Sequence, residues 1–176
     1  MPCRPVFRDI SSVALSGSVQ QSNGIDKILP GLPGFQVLTV LERDVEARTF
    51  ILAHFPKHNP SVAHADFDGD GRLDFAVLLR DNKSGIVKFV ILLCPQMGDR
   101  KKAHAEEITS YAGGVCIRPI PAGQRVSHTE AVESKDDFSP VRLRSIGIEV
   151  TYFGQGKVVY SWNATHKKFK TIQTED

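Results

Sequence analysis

The sequence predicts an α+β domain: a mostly antiparallel sheet with one main helix packed on it, ending in a three-stranded meander. Three observations carry that expectation. Short apolar runs bounded by Gly, Pro, Asn and Asp clusters recur from Val62 onward, which is strand-and-turn patterning. The stretch from Val45 to Phe55 spaces its apolar residues by three and four, the helical period. Near the C-terminus, three strand-like runs follow one another with tight turns between them.

Residues 1–23 are rich in Ser and Gln without a period, and read as a flexible leader. Within it Arg4 and Arg8 precede Ile10 to Leu15 and the small residues Ser16, Gly17 and Ser18, an order that echoes a secretory signal. Asp9 and two serines interrupt its apolar centre. Residues 24–176 form the expected single domain. Ile25 to Leu29 fits a short helix closed by Pro30, Gly31, Pro33 and Gly34. Phe35 to Leu41 alternates as a strand. The helix starts at an Asp44 N-cap, presents Val45, Ala47, Phe50, Ile51, Leu52 and Phe55, and stops before Pro56.

Val62 to Ala65 and Phe75 to Leu79 are strands on either side of an acidic loop. Asp81 to Gly85 is a turn, and Ile86 to Leu93 a long apolar strand. Pro95 to Ala105 is polar and basic, and reads as a loop. Val115 to Ile120 is a further strand, and the charged, weakly patterned Gln124 to Val141 a surface excursion. Ile146 to Phe153, Lys157 to Trp162 and Lys168 to Gln173 make the meander, turned by Gly154-Gln155-Gly156 and by Asn163 to His166. Tyr152, Tyr160 and Trp162 fall within it as core or cross-strand aromatics.

Composition narrows the function classes. The chain has 176 residues, 41% hydrophobic and 24% charged, and a formal net charge of +2. Such a balance does not advertise a nucleic-acid partner. No apolar run reaches the roughly 18 to 20 residues that a membrane span requires. Three cysteines, Cys3, Cys94 and Cys116, contain no CxxC spacing, so neither a zinc site nor a thioredoxin-type centre is indicated. Cys94 and Cys116 fit either two buried thiols or, in an exported protein, a disulfide.

The chemistry concentrates in Asp66-Phe67-Asp68-Gly69-Asp70-Gly71-Arg72-Leu73-Asp74. Asp66, Asp68 and Asp70 take positions 1, 3 and 5 of a winding loop, and Asp74 takes position 9. Gly71 at position 6, with Gly69 before it, permits the sharp reversal around an ion, while Arg72 at position 7 offers only its carbonyl. Four carboxylates this close repel by about 1 kcal/mol per near pair even in water, so a cation is the natural complement. An all-oxygen set suits a hard ion, and calcium is the expected cofactor. Position 12 is Val77 rather than a bidentate glutamate, and strand residues follow, so the loop is not a helix-loop-helix sensor.

The run Ala65 to Val77 resembles the FG-GAP or VCBS-type repeat, whose hallmark is DxDxDGxxD entering an apolar strand. The likeness extends through the hairpin to Leu93. It implies a calcium-bearing hairpin in an extracellular setting, with a protein or glycan as partner. Repeats of that family assemble into propellers; the present chain holds one copy, so a multi-blade propeller within it is excluded. The whole chain is also similar to small exported bacterial proteins that carry one such loop. Those end in a meander like Gly147-Ile148-Glu149-Val150-Thr151-Tyr152-Phe153-Gly154 through Val159-Tyr160-Ser161-Trp162.

Other constellations fit solvated surfaces better. His54 and His58 have i, i+4 spacing, but Pro56 breaks the helix that a metal pair would need. Glu106-Glu107 and Asp136-Asp137 are adjacent and diverge. No nucleophile elbow, P-loop or dinucleotide fingerprint is present. Arg100-Lys101-Lys102 and Lys167-Lys168-Phe169-Lys170 lack an aromatic platform for nucleic acid. Asn82-Lys83-Ser84 and Asn163-Ala164-Thr165 match glycosylation sequons, which matter only in a eukaryotic secretory route. The expected function is a non-catalytic, calcium-stabilised binding module, exported or envelope-associated, with a periplasmic or secreted location. The alternative is an envelope hydrolase or hydrolase inhibitor with a structural calcium.

Overall fold

A computed structural model describes residues 32–54, 59–94, 101–108, 114–127 and 140–174, with the backbone alone for 101–108. The leader and the expected helix at Ile25 to Leu29 lie outside the described residues. Every strand pairing is antiparallel. The first sheet comprises β1 (Phe35–Val37), β2 (Val62–Ala65), β3 (Asp74–Asp81), β4 (Val87–Leu93) and β5 (Lys101–Ile108). Its order is β1-β3-β4-β5, with β2 lying beside β1 along the same edge of β3. The second sheet runs β11-β10-β9-β6, from β6 (Val115–Ile120), β9 (Gly147–Tyr152), β10 (Gly156–Asn163) and β11 (Lys168–Thr174). Thus β9, β10 and β11 follow one another as neighbours, and β6 adds a fourth strand to them. A two-residue ribbon, β7 (Arg125–Val126) with β8 (Val141–Arg142), marks the ends of the Gln124 to Val141 excursion.

Period-two alternation explains how the sheets meet. Ala76 and Leu78 of β3 and Phe89 and Ile91 of β4 point one way, against Val115, Ile117, Ile148, Val150 and Tyr160 of the second sheet. The rings of Phe89 and Tyr160 lie 4.9 Å apart in that core. Sheet therefore packs on sheet. The opposite face of β3 and β4 is buried as well, with Phe75, Val77, Leu79, Val90 and Leu92 in a second cluster. This two-sided burial is why Phe75 to Leu79 reads as a continuous apolar run rather than an alternating one. The ribbon β7–β8 covers part of the second sheet's outer face, enclosing Ile120, Val126, Leu143, Val159 and Ile172.

The one α-helix among the described residues, α1 (Val45–His54), starts as expected: Asp44 Oδ1 accepts the Ala47 N–H at 2.8 Å. Only Ala47 and Ile51 of it are buried, while Val45 and Leu52 are 66% and 59% exposed. Phe50 meets Phe153 edge-on at 5.0 Å, tying the helix to the end of the second sheet. Helix-on-sheet packing is thus a minor part of the core, and sheet-on-sheet packing supplies most of it.

Two expectations need correction. The Pro95 to Ala105 stretch is not all loop, because β5 begins at Lys101 and pairs along β4 with a register shift between Ile91 and Leu92. The strand at Phe35 stops at Val37, and Val40–Glu42 forms a 3₁₀ turn. Glu42 sets that turn: its carboxylate accepts the Thr39 N–H and hydroxyl at 2.7 and 2.8 Å and pairs with Arg80.

Arg43 joins the two sheets. The residue is 3% exposed, and its guanidinium donates to the carbonyls of Val115 and Thr39 at 2.9 and 2.7 Å and to the Ser61 hydroxyl. Leu38 and Ser61, at the ends of β1 and β2, both bond to the backbone of Leu78, and Ser61 Oγ also donates to the Leu38 carbonyl. Arg43 thus fills the break between two collinear strands and reaches across to β6. The outer border of β6 is partly occupied as well. Val115 O is taken by Arg43, Ile117 N–H donates to Pro60 O at 2.9 Å, and Pro119 has no N–H to offer.

Candidate metal centre

The acidic loop hangs between β2 and β3, whose first pair is Ala65 with Asp74. Phe67 pins it, with a side chain wholly buried in the inter-sheet core. Gly69 and Gly71 have φ of +83° and +84°, a region that costs other L-residues, so the winding depends on glycine at these two positions. Around them the carboxylates collect backbone N–H groups. Asp66 Oδ1 accepts from Gly69 and Asp70 at 2.7 and 3.0 Å, and its Oδ2 from Gly71 at 2.8 Å. Asp68 Oδ1 accepts from Asp70 at 3.1 Å, and Asp70 Oδ1 from Arg72 at 2.9 Å.

Asp74 is the buried member. Its Oδ2 accepts the Phe67 N–H and its Oδ1 the Cys94 N–H, each at 2.9 Å, so one carboxylate closes the loop and clips it to the end of β4. Burial pushes its pKa up to about 6; the two N–H bonds oppose the rise, and the charges of Asp68 and Asp70 add to it. Asp68 is also raised, first by desolvation and then by its acidic neighbours.

One oxygen from each of Asp66, Asp68 and Asp74 lies within 4.8 Å of the others. Asp70 is not among these three; its Oδ2 lies 3.8 Å from Arg72 Nε, so the arginine side chain turns back onto the loop. Three converging carboxylates of partial to complete burial are a donor set for a hard cation. The residues of the motif that sequence reasoning passed over are Phe67, the apolar anchor, and the backbone of Cys94. Phe67 was readable as the one large apolar residue inside an acidic loop. No signal in sequence announces the Cys94 contact.

Cys94 and Cys116 are not disulfide-bonded to each other. Cys94 packs with the outer cluster of the first sheet, whereas Cys116 alternates away from the inter-sheet core on β6, so the sandwich stands between them. Burial raises the Cys116 pKa, the opposite of what a nucleophilic thiol requires. Of the six histidines, His54 stacks on Phe50 at 4.1 Å and His64 lies beside Phe75; His58 and His128 lie outside the described residues. Among the described residues no helix is long and apolar enough to cross a membrane. No family model, curated protein or solved structure matches the chain.

Proposed function

We propose that residues 66–74 bind one calcium ion and that the chain is a non-catalytic, exported or envelope-associated binding module whose fold the ion stabilises. The observation that supports this is the convergence of Asp66, Asp68 and Asp74 at the junction of β2 and β3. Their mutual repulsion destabilises the ion-free loop, and a divalent cation reverses its sign. An affinity near 10⁻⁴ to 10⁻³ M, roughly that of extracellular modules, suits a compartment rich in calcium.

At 10 mM calcium such a site contributes roughly 1.4–2.7 kcal/mol, a rise in Tm of roughly 3–10 °C for a domain of this size. Differential scanning fluorimetry with calcium, magnesium and chelator measures it. Asp68→Ala is the discriminating variant: its carboxylate serves one loop bond, so the fold persists while the calcium response disappears. An equal response to magnesium, or an unchanged response in Asp68→Ala, defeats the assignment. The partner, a protein or a glycan, is tested by capture from native envelope with and without calcium.

Acidity provides a second check. In the ion-free fold the Asp74 pKa is raised to about 6, above its ordinary value of 3.8. The stability contributed by its protonated form is therefore present at low pH and lost as pH rises through 6. Calcium binding must displace that proton. Apparent calcium affinity is expected to fall as pH drops from 7 to 5, and isothermal titration in buffers of different ionisation enthalpy should register proton release near pH 6.

A further inference from the structure

We propose that the outer edge of the β7–β8 ribbon takes an extended acidic peptide, with carboxylates at alternate residues, as an added strand beside Arg142. The proposal deepens the binding-module reading and rests on it, with a protein segment rather than a glycan as partner. It uses no residue of the calcium loop.

Alternation sorts the ribbon's side chains. Val126, Val141 and Leu143 turn to the second sheet and pack in its outer cluster. Arg125, Arg142 and Arg144 alternate with them and are exposed on the opposite face. Arg125 lies directly across from Arg142, a like-charge pair that a strand ladder disfavours and an anion relieves. Among the described residues none of these three guanidinium groups has an acidic partner. The Arg142 guanidinium rests above Gly123, 3.6 Å from where a side chain there would stand, and no hydrogen bond holds it in place.

The backbone selects the form of the anion. Leu143 N–H donates to Gln124 O at 2.9 Å, so these two residues are a hydrogen-bonded pair of the ladder. Antiparallel pairs alternate, which makes Arg125 and Arg142 the non-bonded pair and turns the Arg142 N–H and C=O away from β7. Among the described residues no strand borders β8 on that side, and neither group has a partner. A vacant donor and acceptor is what strand addition uses for affinity, and the side chains beside it set specificity. In an added strand the residue opposite Arg142 shares its face. The next residue on that face stands about 7 Å further along, beside Arg144. Carboxylates at these two places meet the two guanidinium groups. A sulfated glycan or a nucleic acid matches the charge alone and leaves the strand edge vacant. The face also carries no aromatic ring on which bases would stack.

The test is fluorescence anisotropy of a labelled short peptide of alternating Glu and Thr, titrated with the full-length protein in calcium-free buffer. Saturable binding is expected. A form N-methylated at its glutamates loses the main-chain bonds and should bind about fivefold weaker or worse. Arg142→Gln should weaken the parent peptide about tenfold, the loss of one charge-assisted bond. Absence of saturation, an N-methylated peptide that binds as well as the parent, or an unaltered Arg142→Gln variant each overturns the proposal. So does a heparin oligosaccharide or single-stranded DNA that displaces the label as tightly as the unlabelled peptide. Arg142 is exposed, so the variant folds, and its calcium-dependent Tm shift should match the parent's. A failed peptide titration beside an intact calcium shift removes the edge assignment alone; a failed calcium shift beside intact peptide binding removes the metal alone.

Discussion

Arg43→Met is expected to lower the unfolding free energy by about 2–4 kcal/mol, more than an exposed charge change. Methionine replaces the aliphatic stem but none of the donors. The buried Val115 carbonyl loses its partner in a dry environment, an orphan costing about 1–3 kcal/mol, whereas the exposed Thr39 carbonyl can turn to water and the Ser61 hydroxyl keeps its bond to the Leu38 carbonyl. Desolvation lowers the Arg43 pKa to about 10, with the neighbouring groups Cys116 and Glu42 opposing the drop, so the group stays charged at neutral pH. Part of the loss is offset, because the variant no longer buries that charge. Arg80→Met is the control. Arg80 also bonds Glu42, but its side chain is 42% exposed, and its removal should cost below about 1 kcal/mol. Urea unfolding of the two variants separates these values. Near-equal costs would show that Arg43 is not the joint between the sheets.

Asp74→Ala is the second large effect, with about 2–4 kcal/mol expected in the absence of calcium. The backbone N–H groups of Phe67 and Cys94 lose their acceptor, and the loop loses its tie to β4. Relief of the buried charge returns some of this, consistent with the raised pKa. Asp74→Asn keeps one acceptor oxygen and should lie between parent and alanine. Both variants should lose the calcium-dependent rise in Tm. The contrast with Asp68→Ala is informative: that change removes the calcium response at little cost to the ion-free fold, whereas changes at Asp74 remove both. If Asp74→Ala unfolds at the same urea concentration as the parent without calcium, the clip between loop and strand carries no energy.

Much of the strand order was legible because burial here follows local pattern. Phe75 to Leu79 and Ile86 to Leu93 are runs that only a buried sheet accommodates, and Asp81 to Gly85 turns between them, with Asp81 Oδ1 accepting the N–H of Lys83 and Ser84. The acidic loop was legible for the same reason, since its glycine positions and carboxylate spacing are local. The rest depends on partners distant in the chain. Lys101 to Glu107 has no apolar alternation, yet it is a strand, because the free edge of β4 supplies a ladder for it. The helix has a helical pattern but few buried residues, because the sheets fill each other's inner faces and leave it at the side. A ribbon of two residues per strand is too short for any period to reveal. Arg43 reads in sequence as one more surface cation, and only the break between β1 and β2 gives it an interior use.

The partly occupied border of β6 bears on how copies of this molecule meet at high concentration. Amyloid-like growth recruits chains through vacant main-chain donors and acceptors, and along this flank Val115 O and Ile117 N–H are already engaged and Pro119 carries no N–H. Self-association by strand stacking is disfavoured at this flank, and substituting Arg43 or Pro119 would free further backbone groups for it.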